Sequence, residues 1–351
     1  MLFRFLTLLL ISTLVLGCSS KNTKNPVNED VNILFCGDVM LDWGIKDIIQ
    51  TEGYEYPLKE LRHLLYKYDY RFCNLECPIS EIGEPHPTKK YIFLAEPSAL
   101  KLLKYGRIDG VSLANNHVND FGEVALINTM TNLYNNGISF TGAGMDIGSA
   151  HLPISVEIRD IRLAIFAYST IAYPESFSAD SSPGVARADI DFIREDIKNY
   201  ARYNDFIIVS IHWGREYSDF PTRHQIELAH AIIDSGVDVI IGHHPHVYQG
   251  IEIYNGKPIV YSLGNFIFGS INEDIQDNIL VGIKLLKSGL YSLSVHPING
   301  NKSTDKRFHH EPLLGEDAEH TLKHILWISE LLGMEFVEKA YIKDSILTYL
   351  F

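Results

Sequence analysis

Apolar residues in this chain fall into two kinds of run. Some are short, rich in Val and Ile, and bounded by Gly, Asn or Asp. In others the apolar residues recur every three or four positions. The first kind predicts strands over 31–36, 70–74, 110–114, 162–168, 205–211, 237–241 and 258–263. The second predicts helices over 57–68, 98–105, 123–135, 188–203 and 225–234, two of them stopped by Gly137 and Gly236. Residues 279–286 and 291–297 read as a hairpin around Ser288-Gly289, and 299–306 is a polar boundary. Beyond it, 318–332 and 336–349 have helical spacing and read as two helices, either a C-terminal lobe or a cover on the sheet. Alternating strands and helices imply an α/β fold with a largely parallel sheet covered by helices, to which the hairpin adds antiparallel character.

The N-terminus departs from this pattern. Arg4 is followed by an apolar run over 5–16 that ends in Val15-Leu16-Gly17-Cys18. One cation, a short apolar region and a small residue describe a secretory signal, too short for a comfortable membrane span. Cys18 after Gly17 resembles a bacterial lipobox, which implies cleavage before Cys18 and lipidation of its thiol. Residues 1–17 are then a lipoprotein signal peptide and 18–30 a polar tether. The expected location is extracytoplasmic, on a membrane-anchored lipoprotein at the cell surface or in the periplasm.

Charge narrows the partners. The formal charge of −14 argues against nucleic acid, and an anionic substrate would need local compensation. With Cys18 assigned to lipid, Cys36, Cys73 and Cys77 remain. Cys36 sits in an apolar strand as a buried thiol. For Cys73 and Cys77 a buried thiol or a local disulfide is favoured over a thiolate ligand.

The chemistry gathers at strand ends. The densest stretch is Val239-Ile240-Ile241-Gly242-His243-His244-Pro245-His246-Val247, a strand that delivers imidazoles at its C-terminal end. In extended geometry His244 and His246 would face one side. Other strands end in Gly37-Asp38, Asn74-Leu75-Glu76, Asn115-Asn116-His117 with Asp120, and His212. Converging on one edge, these groups offer mixed O and N donors. Such donors suit a divalent transition metal (Zn, Mn or Fe, as one or two ions) better than Ca. One carboxylate between two donor sets could bridge two ions about 3.5–4 Å apart. Asp120 reads equally as a turn residue or as the group that orients His117. Lys89 and Lys90 read as solvated surface lysines, Trp213 as packing, and Asn265 as either a cleft or a turn residue. No Gly-rich phosphate loop of the Walker or dinucleotide type is present.

Taken together, Gly37-Asp38-Val39-Met40-Leu41, Asn74-Leu75-Glu76, Leu113-Ala114-Asn115-Asn116-His117 with Asp120-Phe121-Gly122, His212-Trp213-Gly214 with Glu216-Tyr217, Gly242 to Val247, and Tyr261-Ser262-Leu263-Gly264-Asn265-Phe266 resemble the CapA family. These are capsule-synthesis proteins associated with poly-γ-glutamate. They are related to calcineurin-like metallophosphoesterases. The resemblance implies a metallophosphatase-like four-layer α/β/β/α sandwich with mixed sheets over 31–300 and a C-terminal helical extension over 301–351.

Carried over by position, the resemblance makes Asp38 the first metal aspartate, Glu76 the bridging carboxylate and Asn116 the amide ligand. His212 and His244 look like ligands of one ion and His246 of the other, and His117 looks like the general acid with Asp120 behind it. Where the superfamily's first motif has a second ligand, a His, this chain has Met40. The implied function is a metal-dependent hydrolase or transferase on an anionic polymer such as poly-γ-glutamate, working beside membrane-bound capsule synthase subunits. The alternative is a non-catalytic module that binds or tethers the polymer.

Overall fold

The computed structural model describes residues 30–269, 277–300, 307–333 and 340–351. The signal and tether, including Cys18, lie outside the described residues apart from Asp30. The chain opens with β1 (Val31–Met40), α1 (Gly44–Glu52), α2 (Arg62–Leu65), β2 (Tyr70–Leu75), α3 (Leu100–Tyr105), β3 (Gly110–Ser112), α4 (Gly122–Asn135) and β4 (Ser139–Thr141). It continues with β5 (Ala143–Gly144), α5 (Ile147–Ala150), β6 (Ile154–Ile158), β7 (Ile161–Ser169), β8 (Gly184–Val185), α6 (Ile190–Tyr200), β9 (Phe206–His212), α7 (Arg223–Asp234), β10 (Val239–His243), β11 (Ile251–Tyr254) and β12 (Lys257–Val260). The last elements are β13 (Asn265–Phe268), β14 (Asn278–Leu286), β15 (Gly289–Ile298), α8 (Gly315–Leu331), β16 (Ala340–Lys343) and β17 (Ile346–Leu350).

Two mixed sheets face each other. The first runs β16-β17-β15-β14-β1-β2-β3-β4, with β13 also paired to β1, and the second runs β11-β12-β10-β9-β7-β6. In the first, β1 to β4 and β13 pair in parallel and the rest antiparallel. In the second, β12, β10, β9 and β7 are parallel, flanked by antiparallel β11 and β6.

Residue parity decides what each face buries. On β1, Ile33 and Phe35 point into the space between the sheets while Leu34 and Cys36 point to the outer helices. On β7, Leu163 and Ile165 face inward, and Ala164 and Phe166 outward. The strands are therefore apolar on both faces, which is why they read as continuous runs. Helices α1 to α4 cover the first sheet and α6 and α7 the second. Through Leu322, Ile325 and Ile328, α8 joins the core between the sheets. Each fully buried side chain of this size contributes about 1.5–3 kcal/mol.

Two expectations are corrected. The segment 57–68 is not one helix: a 3-10 turn at Tyr56–Leu58 and the short α2 bury Leu58, Leu61 and Leu65 without a continuous rod. The second C-terminal helix, over 336–349, is a β-hairpin where it is described. Its β17 pairs with β15 at the sheet edge, and Asp344 and Ser345 take φ of 51° and 62° to turn it. No helix among the described residues is long and apolar enough to cross a membrane.

Candidate metal centre

The C-terminal ends of parallel strands from both sheets meet at one edge. Asp38 lies on β1 beyond a register shift that begins after Phe35. A side chain at Gly37 would place its Cβ 2.0 Å from the carbonyl oxygen of Gly264, so only glycine lets the strands approach there. The backbone NH of Asp38 donates to that same oxygen at 3.0 Å. Glu76 follows β2, Asn116 follows β3, and His212 and His243 end β9 and β10. The backbone NH of His244 donates to Asp38 Oδ2 at 3.2 Å, tying the histidine loop of one sheet to the aspartate of the other.

His244 and His246 are not extended. Both have left-handed backbones, φ 97° and 59°, unusual for residues with a Cβ. The strand stops at His243, and the turn, not strand alternation, brings the two rings to centroids 5.9 Å apart. Backbone strain of this kind collects at functional sites.

Asp38, Glu76, His212, His243, His244 and His246 are all buried. Among the described residues three donor groups form, each with its ligand atoms within 4.8 Å of one another. They are Glu76–His212–His244, Asp38–Glu76–His246, and Glu216–His244–His246. Glu76 belongs to the first two. His212 Nε2 faces Asn116 Oδ1 at 2.7 Å, so the amide stands beside the first group. His243 Nδ1 lies 3.2 Å from Asp38 Oδ1 but off the line of a hydrogen bond.

A cation fits these residues. Glu76 Oε1, His244 Nδ1 and both ring nitrogens of His243 are buried with no hydrogen-bond partner, which is costly unless something else satisfies them. The donors are mixed carboxylate, imidazole and amide, the set expected of Zn, Mn or Fe sites. The electrostatics agree. Burial, reinforced by the charge of Asp38, pushes Glu76 well above the ordinary carboxylate range. Burial would also raise Asp38, but His243 and His246 outweigh it and hold that carboxyl well below its usual range. Burial lowers His212 strongly and His244 to about 3. His246 goes the other way, to about 9, because the two carboxylates overcome its desolvation. Asp38 and His246 therefore support each other's charge.

The remaining predicted residues sit beside this cluster. His117 Nδ1 donates to Asp120 Oδ2 at 2.8 Å, which leaves Nε2 available for proton transfer. Asp120 is fully buried and also accepts from Phe93 N at 2.9 Å and from Lys89 Nζ at 2.7 Å. Lys89 is not a solvated lysine: its side chain is 4% exposed, and its ammonium also donates to the carbonyl of Asn116. Lys90 is exposed, as expected.

Sequence reasoning also passed over Asn74, whose amide donates to Asp38 Oδ1 at 2.9 Å and to His212 Nδ1 at 3.2 Å. It stood in a quoted motif, and its position between two carboxylates was the available signal. Asn265 lines the cleft, with Oδ1 accepting from His246 Nδ1 at 3.0 Å. Trp213 is packing, its indole NH donating to the carbonyl of Tyr261 at 2.9 Å. Cys36, Cys73 and Cys77 are buried free thiols, with no disulfide between Cys73 and Cys77.

Comparison with known proteins gives the context. The family model described as bacterial capsule synthesis protein PGA_cap matches residues 32–270. The PGA biosynthesis protein CapA of Bacillus subtilis (strain 168) is 30% identical over 272 residues, covering 77% of this chain and 72% of that protein. The capsule biosynthesis protein CapA of Bacillus anthracis is 29% identical over 290 residues, covering 81% and 71%. Among solved structures, the NAD nucleotidase NadN of Haemophilus influenzae aligns at 14% identity with a TM-score of 0.49, over 85% of this chain and 62% of that one.

Proposed function

The chain belongs to the bacterial capsule synthesis protein family PGA_cap, and from that premise we propose that it is a metal-dependent hydrolase or transferase acting on an anionic capsule polymer of the poly-γ-glutamate kind. The observation that carries the reading is Glu76, a buried carboxylate common to two adjoining donor groups, with one oxygen that makes no hydrogen bond. Asp38, Glu76 and His246 would hold one divalent ion, and Glu76, His212 and His244, with Asn116 beside them, the other. Bound ions of this kind supply Lewis acidity to substrate and water.

The chain's own residues do the rest. Asp38 holds negative charge where cations are wanted, and Glu76, raised by burial beside it, would take its charge as an ion binds. Asn265 holds the His246 ring by its Nδ1. Asp120 holds the His117 ring through Nδ1–H, so that when the ring is the imidazolium its Nε2–H can deliver a proton to a leaving group and the neutral, Nδ1-protonated ring is left behind. Lys89 neutralises Asp120 and grips the Asn116 backbone, so proton donor and amide move as one piece. The lipobox-like Cys18 supports a lipid-anchored location outside the cytoplasm, and the family resemblance supports work beside capsule synthase subunits.

The test is metal content of full-length protein purified in detergent, compared with the His244→Ala, His246→Ala double variant. Two tightly held transition-metal equivalents, lost in the double variant, are expected. Unchanged content in the double variant would sink the reading. One specific observation favours a non-catalytic polymer-binding module instead. Met40 is fully buried, and its sulfur accepts from Asp42 N at 3.3 Å rather than reaching the site. That reading predicts polymer binding that survives chelation.

A further inference from the structure

A carboxylate beside the inner cluster has no part in the roles given so far. Glu216 follows β9, and its carboxylate lies within 4.8 Å of ring nitrogens of His244 and His246. Unlike Asp38 and Glu76 it is exposed. An exposed glutamate near two histidines is ordinary by itself; what distinguishes this one is how the backbone fixes it. Trp213 N donates to the carbonyl of His243 at 3.1 Å, and Tyr217 N donates to that of Pro245 at 2.8 Å. One end of each bond brackets Glu216 and the other brackets His244, so the backbone sets the spacing between them.

The segment is pinned further. The buried Gln249 amide donates to the carbonyl of Ser218 at 2.7 Å. Gly214 takes φ 94°, and a Cβ there would come within 2.7 Å of the Gln225 side chain. Tyr217 holds φ 57° despite its Cβ, a left-handed conformation that is unfavourable for an L residue. Its ring lies 6.0 Å from that of His246. A surface turn with no task would not need this much fixing.

Glu216 groups with His244 and His246 but, among the described residues, in no group with Asp38 or Glu76, and the two sides differ in donor supply. The group of Glu76, His212 and His244 has Asn116 Oδ1 beside it as a fourth donor. Asp38, Glu76 and His246 number three. Met40 adds nothing, and among the described residues His243 completes no three-donor group. We infer that Glu216 is a further ligand of the cation on the Asp38–His246 side, reaching it from the solvent-facing mouth. The inference rests on the metal-centre reading above. Because Glu216 is exposed, its carboxylate can swing off without unpacking the core, which leaves that position to an anionic group of the substrate.

The experiment is calorimetric titration of Mn(II) alone into full-length wild type, Glu216→Gln and the His244→Ala, His246→Ala double variant, at a salt concentration that screens surface charge. Glu216 is exposed, so Glu216→Gln folds as wild type. The expected result is two steps in wild type, with the tighter unchanged in Glu216→Gln and the weaker reduced about 10–100-fold. An isotherm that superposes on wild type overturns the inference. So does equal weakening of both steps, which is a field effect and not ligation. A wild type with one step leaves no second ion for Glu216 and also overturns it. No binding in wild type, or undiminished binding in the double variant, overturns the metal-centre reading itself and is told apart by that signature.

Discussion

Lys89 carries a charge almost out of contact with water. Its side chain is 4% exposed and its partner Asp120 is fully buried. Coulomb attraction at 2.7 Å in a poorly polarisable setting offsets the desolvation of both ions only while the pair is intact. Replacing Lys89 by Met removes the cation and leaves the carboxylate buried with His117 Nδ1 and Phe93 N as its remaining donors. The single variant is expected to lose about 3–5 kcal/mol of stability. Adding Asp120→Asn removes the stranded charge, so the double variant should be more stable than Lys89→Met alone. Urea unfolding of the three proteins checks this; a double variant no better than the single would mean that the pair is not coupled. The pairing was illegible in the sequence. Lys89 follows Pro87-Thr88 in a polar stretch typical of surface loops, and its acceptors are brought to it only by tertiary folding. Asp38, Glu76, His212 and the His243–His246 cluster could be read, because the end of a β-branched run marks a sheet edge and ligand-type residues there are few in kind. The strained turn at His244 and His246 could not, since neither residue is a type that announces a left-handed backbone.

Within single elements, the strands were legible where they are buried on both faces, because parity then leaves an unbroken apolar run. The strands over 205–211 and 237–241 lie within two residues of β9 and β10. The hairpin of β16 and β17 was missed for a physical reason. Ile342, Ile346, Leu347 and Leu350 fall at helical spacings, and its turn is Asp344-Ser345 with both residues left-handed but no glycine to signal it. A pH effect belongs to β15. His296 is buried, its Nε2 shares a hydrogen bond with Tyr68 Oη at 2.7 Å, and burial with the nearby charge of Lys67 lowers its pKa to about 4. Unfolded, it titrates near ~6.5. Between these values the unfolded chain binds more protons. The contribution is therefore full above pH ~6.5 and is lost as pH falls toward 4, by about 3 kcal/mol. His296→Gln keeps a hydrogen-bond partner for Tyr68 without the titration. Its unfolding free energy should fall less steeply between pH 6.5 and 4.5 than that of wild type. Parallel slopes would show that other groups set the acid limit.

The whole molecule is closed at one edge by residues far from the site. β17 extends the first sheet beyond β15, and Leu347 and Tyr349 from it enter the core between the sheets beside Leu322, Ile325 and Ile328 of α8. Both β17 side chains are 1% exposed. Burial of Leu347 contributes about 1.5–3 kcal/mol, and the Tyr349 ring adds to it, less the cost of a hydroxyl buried without a hydrogen-bond partner. The leucine alone is an appreciable share of the ~5–15 kcal/mol that usually separates folded from unfolded chains. Ending the chain at Gly333 would also leave β15 as an unpaired edge, a template for association. Metal affinity tests whether this closure and the site are separate. The donors stand on β1 and β9 and in the loops after β2, β3 and β10, and neither strand pairs with β17. The truncated protein is therefore expected to melt well below the full chain and to aggregate on heating, yet to bind Mn(II) with unchanged affinity at low temperature. A truncated protein that melts with the full chain would show that the hairpin adds little to the core. One that stays folded but loses the metal would show that the sandwich transmits the state of its edge to the end that carries the metal donors.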